Sequence, residues 1–188
     1  MELTRHEWRK FDFQSRKFKE LILYFSKRGL EEGLVIGSTK LNKLLFFTDF
    51  RAYAELGSPV TGATYQKLQF GPAARELLPM RDELLKDQEI RFRDQASDDL
   101  NDVLVPLSKP KVNEVLSDAE RKIADDVFEE LRPFNATAVS DYSHLKSAGW
   151  NVVDFKDDIP YESAFVVTDP PPAEAIQLGR ELAAKFGW

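Results

Sequence analysis

The chain of 188 residues carries 43% hydrophobic residues, including 14 Phe, 31% charged residues and a formal net charge of −6. That length and apolar content fit one domain with one substantial core, the acidic balance argues against nucleic acid as a main partner, and the absence of cysteine removes disulfides, thiolate metal ligands and cysteine nucleophiles together. No apolar run reaches the length needed to cross a bilayer and residues 1–13 lack a signal core, so a cytoplasmic protein without membrane partners is expected.

At the amino end, Arg5, Arg9, Lys10, Arg16, Lys17 and Lys19 stand among aromatic residues. Such a stretch reads as a solvated helix face or as a surface for an acidic partner. Phe18, Leu21, Ile22 and Phe25 recur at three and four residues, which predicts an amphipathic helix over residues 14–28 that stops at Gly29. A second helix is predicted over residues 39–56. Leu41, Leu45, Ala52 and Leu56 form one face of it and Phe46, Phe47, Phe50 and Tyr53 another, so it needs cover on two sides. Gly57 and Pro59 end it, because glycine accepts a left-handed C-terminal conformation and Pro59 pushes Ser58 out of helical geometry.

Asn42 and Asp49 are seven residues apart and share one edge between those two faces. If the edge is covered, both need partners, since a buried carboxylate without donors is costly. Lys43, Tyr65 or backbone amides near Gly71 are the expected mates. A satisfied polar seam and a partner-binding groove are both open readings of this edge, as core packing and docking are of the aromatic face.

Residues 64–70 alternate in the manner of a strand, which Gly71 and Pro72 are expected to close, with Pro72 in the first turn of a helix running to about residue 86. Residues 90–93 and 103–107 flank an acidic stretch and predict a β-hairpin, with Asp98, Asp99 and Asp102 at a solvated tip. Ser117 and Glu120 form a capping box ahead of a helix that buries Ile123, Ala124, Val127, Phe128 and Leu131. Asn135 or Thr137 starts a further helix through Lys146, with a glycine stop at Gly149 and Trp150. Residues 159–167 read as a short strand or extended arm. Three prolines at 170–172 lead into a last helix on which Ile176, Gly179, Leu182, Ala183 and Phe186 recur. The expected fold is α+β: a mostly helical single domain over residues 1–168 with a small antiparallel sheet, from a strand near 64–70 and a hairpin near 90–107, followed at 169–188 by a proline-led helix.

Chemistry is sparse. His144 stands near Ser140, Asp141 and Ser143, but these share one helix, whereas a catalytic triad converges from separate elements around an oxyanion hole. Two histidines and no cysteine leave a zinc site short of ligands. Residues 57–62 lack the glycine and lysine spacing that cradles a polyphosphate. No catalytic residue, metal or cofactor is expected, and the residues lean towards binding over catalysis.

The order of residues 40–45, Phe47 to Asp49 with Phe50, the glycines and threonine of 57–62, Tyr65, and Phe70, Gly71 and Pro72 resembles the Panacea domain, the SocA-like antitoxin family. Leu116, Ser117 and Glu120, residues 137–144, Gly149 with Trp150, and Ile159, Tyr161, Ala164 and Phe165 continue the pattern, so that it covers about residues 15–168. The resemblance implies an antitoxin of a type II toxin–antitoxin pair, associated with phage defence, that neutralises a cognate protein toxin by direct stoichiometric binding. It implies a framework of Lys40, Leu41, Asn42, Lys43, Leu44, Asp49, Phe50, Gly62, Gly71, Pro72, Ser140 and His144. The residue types favoured at interfaces make Tyr53, Tyr65, Phe70, Arg75 and Trp150 candidate toxin contacts, with further contacts expected from loops, hairpin, basic N-terminal stretch and last helix. Three alternatives remain: a proteolytic adaptor that delivers the toxin to a cytoplasmic protease, a winged-helix-like DNA-binding regulator with Arg91 and Arg93 on its hairpin, and an enzyme, which would need a pocket around His144 with a strongly shifted pKa.

Overall fold

A computed structural model describes residues 8–93, 103–166 and 173–186. Helix α1 (Ser15–Glu31) buries Phe18, Leu21, Ile22 and Phe25, as their spacing requires, but it runs past Gly29. That glycine is a contact rather than a stop. A Cβ there would overlap Ile36 Cγ1, so its absence lets the chain fold back closely on α1 after the turn at Gly33.

Helix α2 (Ser38–Leu56) is the centre of the molecule. Its aliphatic and aromatic faces are both covered, with Leu41, Leu44, Leu45, Phe46, Phe50 and Ala52 in the core and Leu56 exposed at its end. Gly57 then takes the left-handed conformation, φ 79°, and its N–H bonds the Tyr53 carbonyl.

Strand β1 (Tyr65–Leu68) pairs antiparallel with β2 (Gly71–Ala74), Tyr65 opposite Ala74 and Leu68 opposite Gly71. Pro72 therefore lies in a strand, and the helix expected to begin there starts later, as α3 (Leu77–Lys86). The ladder shows why proline is tolerated. The Arg75 N–H bonds the Thr64 carbonyl, which fixes the alternation and makes Lys67 and Pro72 a non-hydrogen-bonded pair, so the missing N–H would have faced away from β1. The outer edge of β1 is covered by residues 156–159: Lys67 exchanges backbone bonds with Lys156 (2.9 Å) and Asp157 (3.0 Å), and the Ile159 N–H reaches the Tyr65 carbonyl at 2.7 Å. The expected arm thus begins earlier than residue 159, and it ends in a 3₁₀ helix, Tyr161–Phe165.

Strands β3 (Ile90–Phe92) and β4 (Leu104–Pro106) form the expected hairpin, but as a second two-stranded sheet separate from the first. Its acidic tip, with Asp98, Asp99 and Asp102, lies outside the described residues, as do Arg5 and the proline triplet. A short helix α4 (Val112–Val115) precedes α5 (Asp118–Leu131), where the capping box is present in both directions: the Glu120 N–H donates to Ser117 Oγ at 3.3 Å and the Ser117 N–H to Glu120 Oε2 at 2.9 Å. Asn135 caps α6 (Ala136–Lys146) by accepting the Ala138 N–H at 2.9 Å. Gly149 does not stop that helix. It lies inside a further short helix, α7 (Ala148–Val152), where a Cβ would come to 2.6 Å from Ile159 Cγ2 and would overlap Ser163 Oγ. The last helix, α8 (Ala173–Phe186), leaves Leu178 and Leu182 exposed. The architecture is a mostly helical α+β domain, and no helix among the described residues is long and apolar enough to cross a membrane.

Gly149 makes that close approach testable. Gly149→Ala is expected to lower the unfolding free energy by about 1–3 kcal/mol through overpacking against the arm, despite alanine's better helix propensity. Urea unfolding measures it; an unchanged or raised midpoint would show that the arm does not pack on α7.

Candidate functional site: the polar seam of α2 and its rim

Four polar residues on α2 bind different parts of the chain. Lys40 donates to the carbonyls of Arg132 (3.0 Å) and Phe134 (2.7 Å), just beyond α5. That helix has no basic residue in its own last turn, so Lys40 supplies the cation that its carbonyl end favours. Asn42 accepts the Ala74 N–H at 3.0 Å and donates to Ser38. Lys43, only 2% exposed, donates to the Pro72 carbonyl at 2.9 Å. Burial pushes its pKa down to about 7.

Asp49 is the most enclosed of the four, at 0% exposure. It accepts the Thr61 N–H at 2.7 Å, the Thr61 hydroxyl, and the Tyr65 hydroxyl at 2.9 Å. The Tyr161 hydroxyl lies 3.4 Å away, but its single proton goes to the Ala63 carbonyl at 2.7 Å, so three donors serve the carboxylate. Desolvation outweighs them and pushes the Asp49 pKa up to about 6. Of the mates expected from sequence, Tyr65 is present, while Lys43 turns to Pro72 and the bonding amide is that of Thr61 rather than one near Gly71. Thr61 and Tyr161 were not anticipated. Thr61 had a local signal, its place beside the Gly62 turn; Tyr161 lies 112 residues from Asp49 and had none.

Gly71 sits where β2 meets α2 and α6. Its φ of 95° demands glycine, and a Cβ would stand 2.7 Å from Lys43 Cε and overlap Ser143 Oγ. Ser143 donates to the Ser140 carbonyl, and Ser140 is buried beside it. His144 stacks on Trp150 with ring centroids 4.0 Å apart, and Trp150 Nε1 donates to the Leu68 carbonyl at 3.0 Å. Desolvation first, then the Lys43 charge, lowers the His144 pKa. His144 Nε2 is buried with no hydrogen-bond partner among the described residues. The described residues hold no group of three His, Asp or Glu able to ligate a metal.

The contact candidates divide. Tyr65, at 1% exposure, and Tyr53 are buried and present no surface: Phe46, Phe50 and Tyr161 surround Tyr65 edge-on, and Tyr53 packs on Phe11 and Tyr161. Phe70, 63% exposed, lies on the β1–β2 turn. Arg75 is exposed and binds Asp158 at 2.8 Å and the Lys156 carbonyl at 2.9 Å. Trp150 is half-buried, with Lys67 Nζ 4.7 Å from its ring. Among the basic N-terminal residues, Lys17 pairs with Glu120 and Lys19 with Glu83. Arg91 bonds the Phe92 carbonyl at 3.1 Å.

The two buried charges give opposite pH dependences. Asp49 is raised, so the stability it contributes is full below its unfolded value of 3.8 and is lost as pH rises through about 6. Lys43 is lowered, so its contribution is full above 10.5 and is lost as pH falls through about 7. Thermal melts across pH, read as wild type minus variant, are expected to fall from pH 4 to 6 against Asp49→Asn and to rise from pH 7 to 10 against Lys43→Met. Flat difference curves would show that neither group is buried in its charged form. Asp49→Leu strands the Thr61 N–H and is expected to cost about 1–3 kcal/mol or more, whereas Asn keeps an acceptor for it; equal urea midpoints for the two variants would contradict the hydrogen-bond assignment.

Residues 41–151, from α2 through α7, match the family model described as antitoxin SocA-like, Panacea domain. No curated protein and no solved structure matches the chain. The match spans more than half of the sequence and takes in Asn42, Lys43, Asp49, Gly71 and His144, so the chain belongs to the SocA-like antitoxin family, as a Panacea domain.

Proposed function

We propose that this protein neutralises a cognate, growth-inhibiting protein toxin by holding it in a stoichiometric complex, without catalysing a reaction of its own. The observation that carries the reading is the family match over residues 41–151. The placement of the polar residues supports it. Lys40, Lys43 and Asp49, which in another setting would be candidates for acid–base work, are enclosed and committed to backbone or side-chain partners of the same domain. They act as framework, and contact with a toxin falls to the exposed rim around them, where Phe70, Arg75 and Trp150 lie. Tyr53 and Tyr65 support that rim from beneath.

Co-expression tests the reading. The protein encoded by the adjacent reading frame is expected to arrest growth when induced alone, to be harmless beside this chain, and to elute with it as one complex of fixed stoichiometry. A toxin half-life unchanged by this chain separates neutralisation by occupancy from delivery to a protease. Arrest that persists while both proteins are soluble and folded would refute the proposal, and so would a neighbour that never arrests growth.

A further inference from the structure

Other parts of the chain cover most of the small sheet's edges. On β2, Pro72 and Ala74 point their backbone groups away from β1, and α2 takes two of them: Lys43 Nζ holds the Pro72 carbonyl and Asn42 Oδ1 the Ala74 N–H. On β1, the outward groups of Tyr65 and Lys67 are taken by residues 156–159. That arm lies along β1 and joins it through an isolated bridge, Gln66 to Asp158. Because Asp157 and Ile159 bond inward, Asp158 forms a non-hydrogen-bonded pair with Gln66, and its N–H and C=O face away from β1 with no backbone partner among the described residues. An unpaired strand edge is a template for another strand.

A cavity of about 760 Å³ lies along this edge. Residues 158–161 form one wall, residues 8–11 the other, and residues 62–65 the floor. The lining is aromatic, with Phe11 packed edge-on against Tyr161 and Trp8 57% exposed at the rim. The rim is also cationic. Arg9 and Lys10 are exposed and make no ion pair among the described residues; the Arg9 guanidinium rests over Phe11, 4.9 Å from the ring centre, and its backbone N–H donates to Glu162. Lys17, Lys19 and Arg75, by contrast, each have a carboxylate partner. Two cations without an ion pair among the described residues thus stand beside the outward-facing N–H and C=O of Asp158, in a chain of net charge −6, and offer an acidic segment both charge and a directional backbone contact.

We propose that this groove binds an extended, acidic segment of a partner protein, which adds as a strand beside Asp158 and turns its carboxylates towards Arg9 and Lys10. The inference rests on the reading that the chain works by binding a toxin, and it names an acidic strand or tail of that toxin as the part that enters. Backbone pairing supplies the register, the aromatic lining takes the alternate side chains, and the two cations select against neutral or basic segments.

The chemistry is tested without the toxin by anisotropy of a fluorescent random copolymer of Glu and Tyr titrated with the full chain. Binding is expected at low salt and is expected to weaken as salt rises. The double variant Arg9→Glu/Lys10→Glu, at two exposed positions, is expected to weaken it by about tenfold or more, and Lys86→Glu on α3 to leave it unchanged. Thr64→Trp, which fills the floor, is expected to reduce binding at unchanged salt dependence. Copolymer binding that is absent, or indifferent to the double variant, overturns the inference. With the adjacent-frame protein, photo-crosslinking from Trp8→p-benzoylphenylalanine is expected to map to an acidic, extended segment. A crosslink to this chain's own N-terminal residues or to a second copy overturns the inference instead. Neutralisation that is equal for wild type and double variant removes the groove and leaves the antitoxin reading standing. Loss of copolymer binding in the double variant, beside a neighbour that is neither toxic nor bound, upholds the acidic-segment site and removes the toxin as its partner.

Discussion

A carboxylate with no access to water must be answered by donors, and Asp49 draws its donors from the turn after α2 and from β1, with the arm's Tyr161 closing over them. That requirement ties segments to one helix that hydrophobic packing alone would leave free to slide. Removing any donor leaves charge in a dry place, so the penalty for a wrong arrangement exceeds the net gain from the right one. Lys40 and Lys43 extend the same logic with opposite sign, each directing an ammonium to carbonyls that their own elements leave unpaired.

The aromatic face of α2 is used up in the same way. Phe46 and Phe50 stand 4.1 Å apart, Phe50 stacks on Tyr161 at 4.7 Å, and Phe47 packs on Tyr142. A helix covered on both faces and along its polar edge has little left to offer a partner. In the proposed function this separates two sets of residues. The buried residues of the family pattern hold the scaffold, and recognition falls to the rim and the groove, where side chains can change without exposing a buried charge.

Much of this was legible in the sequence because it is local. The Ser117 to Glu120 spacing, the Asn135 cap, the Gly57 stop and the two-faced pattern of α2 depend on neighbours within a turn, and each appears where its spacing placed it. The errors share a cause as well. A glycine that ends a helix and a glycine that admits a neighbour look the same in a sequence, so Gly29 and Gly149 read as stops although Ile36 and the residue 159–163 arm explain them. Pro72 satisfied the rule for a first helical turn, but the ladder alternation gave it an equally free position in β2. Tyr161, which closes over Asp49 from 112 residues away, leaves no periodicity to read.

The polar seam also explains how so short a sheet keeps its register. Strands of four residues containing Gly, Pro and two Ala have almost no side-chain pattern to oppose a slip, and a one-residue shift would turn every side chain to the other face. Asn42 and Lys43 remove the ambiguity by gripping β2 two residues apart, one at an N–H and the other at a carbonyl. A slip by one residue would bring a group that already faces β1 to each of them. Apolar side chains of equal volume would cover the same surface but accept either register, which gives a physical reason for an ammonium and an amide at these positions and for the Gly71 that makes room for one of them.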